Sequence, residues 1–319
     1  MDNLTHSLAG ALLGQMGLKR SSRLAMAGCI LGANAPDIDV FAPLLFEVDN
    51  IAFHRGPTHA VWGWPVMAAG VVALLWLYDR LVPGNEGTPP FRPVPLFVAV
   101  FLAVLTHPFL DWLTTYAVAL FAPVGSRWYS ANAIFIIDWV YWLILITGIL
   151  WSARSYRRHL PQPGRPAQAM GLILLAYIIV NVAWSSHAER TMAAALRERS
   201  IEPVLIVPSP PPFLFWNRTM AWRSKAEWGS GSFSPAAGLR LHSMRQPLRL
   251  DDPRLTRARQ STRAVRSFLY WSRMPIVVEE GGRAYLTDQR YYRAFDTDSV
   301  PDAIRNRAPR GGFMVALDP

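Results

Sequence analysis

Apolar residues run through positions 4–18, break at Lys19, Arg20 and Arg23, and resume through 24–35, a pattern that predicts a short helical hairpin with a basic tip. Each arm has about 15 residues or fewer, near 22 Å of helix, which falls short of the ~30 Å hydrocarbon core of a bilayer. Tilt, local thinning or burial against other helices is therefore implied. Longer apolar runs follow at 60–78, 93–121, 134–151 and 167–186, and each reads as a membrane span. Charged loops at 79–92 and 154–165 separate them, as does a loop at 123–132 bearing Trp128 and Tyr129, residues that favour the membrane interface. Gly56 and Pro57 suit a helix start, so His59 is expected in the first turn of the 60–78 helix and His54 just outside it.

From Glu189 onward hydropathy falls. Residues 202–207 read as a strand, the prolines within 208–212 break it, and 213–222 continues with β-prone residues. Asp252-Pro253 opens a helix predicted to run to about Tyr270, and 274–280 with 283–288 flank Gly281-Gly282 as a hairpin. The fold class is thus mostly α: a multi-span helical membrane domain over 1–186, then a small α+β domain over 187–319, expected to be extracytoplasmic. Nothing in the second domain has metal-ligand spacing. His242 reads as a surface residue, and Trp216, Trp222, Trp228 and Trp271 as core or interface side chains.

Composition supports the membrane reading, since 319 residues with 51% hydrophobic, 17% charged and 13 Trp are too apolar for an ordinary soluble chain. The net charge of +10 raises the question of nucleic acid. No Lys-rich run, zinc finger or RNA-binding signature accompanies the Arg-rich tail, so a solvated or headgroup-facing surface is expected and a nucleic-acid partner is not. The single cysteine, Cys29, excludes an intramolecular disulfide and reads as a core thiol. The stretch from Lys19 to Ala35 mimics a signal peptide, but cleavage would discard His6, and another apolar segment precedes it.

Loop charge orients the spans. With the 154–165 loop in the cytoplasm, 9 of the 11 basic residues before position 187 lie inside, and 7 of the 9 acidic residues lie outside. His6, His54, His59 and His107 fall on the acidic side, although the charge count never used them.

The chemistry centres on Thr106-His107-Pro108-Phe109-Leu110-Asp111. At i and i+4 of a helix, His107 and Asp111 share a face and can hold one cation; the plainer alternative is a buried hydrogen-bonded pair. His6, Asp37, His54 and His59 are expected to join them around one polar pocket, with Asp39 and Asp138 close by. Imidazoles with carboxylates suit a divalent ion, zinc by default, with manganese, iron or nickel as other choices. The candidates outnumber the four ligands of a single tetrahedral zinc, so more than one ion is plausible, as in hydrolytic centres that share a carboxylate. Asp39 and Asp138 are the candidate catalytic groups. Asp138, between Ile137 and Trp139, reads as a late-added ligand or as the general base. Thr-His occurs three times, at Thr5-His6, Thr58-His59 and Thr106-His107, where a hydroxyl could orient an imidazole. No nucleophile elbow, P-loop or Rossmann fingerprint supports a rival chemistry.

These motifs together resemble those of the membrane-bound predicted metal-dependent hydrolases of the YdjM and YbcI kind. The residues that carry the resemblance are Met1-Asp2-Asn3-Leu4-Thr5-His6, Pro36-Asp37-Ile38-Asp39, His54-Arg55-Gly56-Pro57-Thr58-His59, the His107–Asp111 segment and Phe135-Ile136-Ile137-Asp138-Trp139. The resemblance is close over about residues 1–190. It implies a hydrolase of the bacterial inner membrane with an unknown small-molecule or lipid substrate. By analogy only, the His-x-x-x-Asp helix is similar to those of zinc-dependent phospholipase C and nuclease sites, which points to phosphoesters. A metal- or proton-coupled transporter and a non-catalytic metal-binding membrane protein are the alternatives. A transporter would place its ionisable residues near the bilayer midplane, often in repeated halves, whereas these stand at span ends and no halves repeat.

Overall fold

The computed structural model describes residues 1–86, 88–292 and 313–317. The chain forms two compact units. Met1–Glu47, Phe53–Ser130 and Ile136–Val180 make the first; Val48–Ala52, Ala131–Phe135 and the described residues from Asn181 onward make the second.

The first unit is helical. Asp2 caps α1 (Asn3–Gln15) by accepting from the N–H groups of Leu4 and Thr5, satisfying donors that the first turn leaves open. The chain returns through α2 (Ala25–Asn34) and passes along a 3-10 stretch, Ala35–Phe41, into two single turns, α3 (Ala42–Leu45) and α4 (Asn50–Phe53). Then come α5 (Gly63–Leu81), α6 (Pro93–Trp112), α7 (Trp139–Arg157) and α8 (Arg165–Arg197), the last of which carries the chain into the second unit. Small residues let α2 lie close to both neighbours: Cys29 and Ala33 pack with Ala99 and Ala103 of α6. Gly10 of α1 faces the Cys29 carbonyl so closely that a Cβ there would collide with backbone oxygen. Gly10→Val is accordingly expected to destabilise the protein by about 1–3 kcal/mol or more, because that oxygen cannot move aside. It should also weaken metal binding, since His6 lies one turn earlier on the same face. A thermal melt in detergent that matched wild type would refute the close-packing argument.

Three described helices, α5, α6 and α8, are long and apolar enough to cross a membrane. α7, which the hydropathy pattern presents as a span, is not among them: it starts later than expected, at Trp139, and gathers Ser152, Arg154, Ser155, Tyr156 and Arg157 in its last turns. Two other boundaries differ from the expectation. α5 begins at Gly63, so His59 is not in its first turn but in a preceding run of turns, where its N–H bonds to the Gly56 carbonyl at 3.0 Å. Gly63 packs against the Pro57 and Thr58 carbonyls, a fold-back that a continuous helix would not allow. α6 ends at Trp112, because the N–H groups of Leu113 and Thr114 turn back to Leu110 and Asp111 at 3.2 and 3.1 Å. The apolar residues that follow run irregularly, with Val118 bridged to Tyr129.

In the second unit, strands β1 (Leu205–Ser209), β2 (Arg218–Arg223), β3 (Glu227–Ser234) and β4 (Gly238–Pro247) form an antiparallel sheet in sequence order. Met192 and Leu196 of α8 pack on Met220, Trp222 and Phe233 of this sheet. Pro208 does not end β1 as the sequence suggests. It pairs with Met220 from the edge strand, the place in a sheet where proline is tolerated. The single helix expected after Asp252 is two, α9 (Pro253–Ser261) and α10 (Arg263–Trp271), because Thr262 is extended at φ −109° and ψ 120°. β5 (Pro275–Glu280), β6 (Arg283–Asp288) and β7 (Met314–Ala316) form a second antiparallel sheet. The predicted hairpin joins β5 to β6, with Gly281 and Gly282 both at positive φ, the conformation a tight two-residue turn requires. His242 is exposed, while Trp222 and Trp271 are core residues.

Candidate metal centre

Four segments meet in the first unit. His6 stands in the first turn of α1, Asp37 and Asp39 just after α2, His54 and His59 before α5, and His107 and Asp111 near the end of α6. His6, His59, His107 and Asp111 are completely buried, and Asp39 nearly so. Four of these residues close a ring. His107 Nε2 is 3.2 Å from Asp37 Oδ1 and 3.5 Å from Asp111 Oδ2, and His59 Nε2 is 3.6 Å and 3.3 Å from the same two oxygens. Ligand atoms about 2.0–2.1 Å from a tetrahedral ion stand about 3.3 Å from one another; four of the six distances here are near that value, and all four atoms lie within 4.8 Å of one another.

Two features show that the ring fits a cation. Each inward-facing imidazole has its other nitrogen engaged: His107 Nδ1 is 2.6 Å from the Ala33 carbonyl, and His59 Nδ1 is 3.3 Å from Asp39 Oδ2. A carbonyl only accepts, so His107 carries its proton on Nδ1 and turns the Nε2 lone pair into the ring. His59 Nε2 and Asp111 Oδ2, moreover, are buried without a hydrogen-bond partner. Orphaned groups of that kind are costly unless something satisfies them.

Electrostatics agree with the geometry. Burial by itself would raise the Asp37 carboxyl, yet the His107 and His59 imidazoles beside it outweigh that effect and hold the group well below the usual carboxylate range. Asp39 is likewise lowered, against burial, by His54 and His59. Burial works against a charged His59, but Asp111, Asp37 and Asp39 push its pKa up to about 10 from 6.5. A proton on His59 therefore does in the ion-free protein part of what an ion would do. The stabilisation it provides is complete below about pH 6.5 and lost as pH rises through about 10. Because an ion must displace that proton, its apparent affinity is expected to rise about tenfold per pH unit through the neutral range. Titration against a chelating dye between about pH 6 and 8 tests this. A flat profile would remove His59 from the ligand set.

Asp37, Asp39 and His54 form a second group of suitable ligand atoms that shares Asp37 with the first. Both Asp39 oxygens are engaged: Oδ1 lies 2.8 Å from His54 Nδ1, and Oδ2 accepts from the Arg55 N–H and the Thr58 hydroxyl, each at 2.9 Å. His6 stacks on His107 with ring centroids 3.7 Å apart, and its Nε2 is 3.6 Å from Asp111 Oδ1. Neither His6 nitrogen has a hydrogen-bond partner. Asp138 belongs to neither group. It caps α7, accepting from the Tyr141 N–H on Oδ1 and from the Tyr177 hydroxyl on Oδ2, both at 2.8 Å.

Of the three Thr-His pairs, only Thr58 touches an imidazole of the cluster, with its hydroxyl 3.0 Å from His59 Nδ1. Thr106 donates to the Ala103 carbonyl, and Thr5 accepts from Trp142 Nε1. Arg55, to which sequence reasoning assigned no role, is buried with its guanidinium 3.0 Å from Asp111 Oδ1. Its Nη1 donates to Thr114 Oγ1 at 3.1 Å, and its plane lies over Tyr116 at 4.7 Å. The available signal was its place between two ligand histidines in His54-Arg55-Gly56-Pro57-Thr58-His59.

The model of the YdjM inner membrane protein family matches residues 1–188, which takes in every side chain of the centre. An uncharacterised Bacillus subtilis (strain 168) protein, YfhP, is 25% identical over 221 residues, covering 66% of this chain. The chain spans 62% of that relative's length. No solved structure matches.

Proposed function

We propose a membrane-embedded metal-dependent hydrolase acting on phosphoester or lipid substrates, proceeding from the fact that the chain belongs to the YdjM inner membrane protein family. The observation that carries the reading is the buried ring of two imidazoles and two carboxylates with orphaned atoms facing one another. His59, His107, Asp37 and Asp111 would hold a divalent ion, zinc by default, which supplies a water nucleophile at neutral pH and polarises a phosphoryl or carbonyl oxygen.

The other roles belong to side chains. Arg55 holds Asp111 in place and puts a fixed positive charge beside an anionic ester. Hydrolysis of a phosphoester joins the oxygen of water to phosphorus and releases an alcohol, so one proton must leave the water and one must reach the alcohol. His54, its Nδ1 held by Asp39, is suited to carry it: its side chain is 20% exposed, whereas those of His6, His59 and His107 are fully buried. The Asp37, Asp39 and His54 group could instead hold a second ion, and metal stoichiometry decides. One ion per chain leaves His54 as the proton carrier; two make it a ligand.

We assign the site to the outer leaflet, with the C-terminal domain on the same side, from loop charge. The ligands on α6 lie near its last turns and away from its middle, which favours chemistry at a headgroup over transport through a midplane site. Metal analysis of the purified protein, followed by a screen of phosphodiesters and phospholipids with and without chelator, is the test. Absence of bound metal, or turnover that survives its removal, would overturn the reading. Asp138 is tested separately. Asparagine caps a helix as well as aspartate does, so Asp138→Asn should keep the metal and the fold. Loss of most turnover in that variant would make Asp138 the general base, and unchanged turnover would leave it a cap.

A further inference from the structure

The first unit contains one apolar space that the chemistry above does not use. α1, α6, α7 and α8 leave between them a cavity of about 190 Å³, lined by Leu13, Met16, Phe109, Leu145, Leu174 and Ile178 among others. Its wall is almost wholly hydrocarbon, so water gains little there and an apolar guest gains much.

The position of this space relates it to the metal centre. On α6, Thr106, Phe109 and Leu110 line the cavity, while His107 and Asp111 occupy the adjoining stripe of the same turns. On α1, His6, Ala9, Leu13 and Met16 follow at i, i+3, i+7 and i+10, so one stripe has a cluster imidazole at its head and cavity wall below. From Ala9 to Met16 that stripe runs about 10 Å. A second observation concerns the segment bearing Asp37 and Asp39. Ile38, Phe41, Leu44, Leu45 and Phe46 all face outward there, Leu44 with 80% and Leu45 with 75% of its surface exposed. Large apolar side chains exposed together beside two ligand carboxylates call for an apolar phase at the level of the site, and a lipid leaflet supplies one.

We propose that this cavity is an acyl-chain subsite, so that the substrate is a membrane lipid whose phosphoester headgroup lies at the histidine–aspartate cluster while one chain descends along α1. The proposal rests on the hydrolase reading for the word substrate, but chain binding can be measured without turnover. A chain drawn from the bilayer leaves hydrocarbon, not water, so the gain comes from packing and grows with the length of chain that the cavity accommodates.

The test uses the full-length protein in vesicles of phosphatidylethanolamine and phosphatidylglycerol doped with a phospholipid carrying a diazirine on its acyl chain. Photolabelling is expected on peptides covering residues 9–16 and 171–178, competed by long-chain but not by short-chain phospholipid. Leu174→Trp, which fills the cavity, should lower that labelling about tenfold or more while leaving metal content unchanged. Gly171→Leu is the second variant, because a side chain there drives the Met16 methyl inward. Labelling spread evenly over the lipid-facing helices, or unaffected in both variants, would overturn the proposal. So would detectable turnover whose rate is flat in acyl length. Absence of any turnover with labelling concentrated in the cavity would instead sink the hydrolase reading and leave the chain subsite standing.

Discussion

Alanine at Asp111 or His107 is expected to reduce bound metal to background and to lower hydrolysis by at least about 10³-fold, the size of effect seen when a fixed charge is removed at a reacting centre. Each residue supplies one of the four ligand atoms of the ring, so loss of either leaves the ion three contacts and opens the buried site on one side. The two variants should nevertheless differ in stability. His107 Nδ1 is bonded to the Ala33 carbonyl, so removal of the ring leaves mainly a cavity and one unpaired carbonyl. Asp111 is the carboxylate against which the Arg55 guanidinium is held, and its removal strands that buried positive charge, costing about 3–5 kcal/mol. Asp111→Asn keeps the shape and isolates the charge. Inductively coupled plasma mass spectrometry with a detergent melt reads both quantities, and a His107→Ala protein with full metal content would remove His107 from the ligand set.

Much of this centre is legible in the sequence because membrane proteins confine ionisable residues. His6, Asp37, His54, His59, His107 and Asp111 fall at the ends of apolar runs, and loop charge yields the expectation that those ends share one side. The structure brings Asp37, His59, His107 and Asp111 into one group and Asp37, Asp39 and His54 into another, with His6 stacked on His107 outside both. What periodicity misses is whatever depends on backbone outside regular elements. The carbonyl of Ala33 fixes the tautomer of His107, and nothing in an alanine announces that. Arg55 stands at φ 62°, a conformation set by the turns between α4 and α5 and not by any hydrophobic pattern. The chain before Gly63 reads as helix because it is apolar with a Gly-Pro start, but its carbonyls are turned toward Gly63 and Trp64.

The second unit was less legible for a different reason. Of the three inward positions of β3, Gly229 and Gly231 have no side chain and Phe233 alone is large, so its alternation carries little hydrophobic signal. Those glycines are packing positions: Gly229 lies against the Trp222 ring and Gly231 against Met192. A strand that receives a neighbour's side chain instead of presenting its own escapes a search for β-branched residues. The hairpin at Gly281-Gly282 was readable because its signal is local conformational freedom, which both glycines use.

Arg55→Met is expected to keep the metal and to lower phosphodiester turnover by about 10²–10³-fold, the usual effect of deleting a fixed charge beside a developing anion. The guanidinium is anchored on three sides, by Asp111 Oδ1, by Thr114 Oγ1 and by the Tyr116 ring, so it is positioned before any ligand arrives. Its backbone is also fastened, with the N–H donating to Asp39 and the carbonyl accepting from Ala119 at 3.0 Å. Methionine retains most of the volume and leaves those backbone bonds alone. The ion would then face an Asp111 carboxylate with one competitor fewer, which is why metal content should hold. Stability should fall by about 3–5 kcal/mol in the ion-free protein, where Asp111 loses its buried partner, and by less once the ion is bound. Arg55→Lys separates charge from shape: a lysine ammonium reaching Asp111 cannot also bridge to Thr114 and stack on Tyr116, so an intermediate loss is expected. The deciding comparison is between an anionic phosphodiester and an uncharged carboxylic ester of the same alcohol, measured on folded protein with equal metal content. If Arg55 stabilises negative charge on the substrate, the phosphodiester suffers the larger loss; equal losses on both would make Arg55 a support for Asp111 alone.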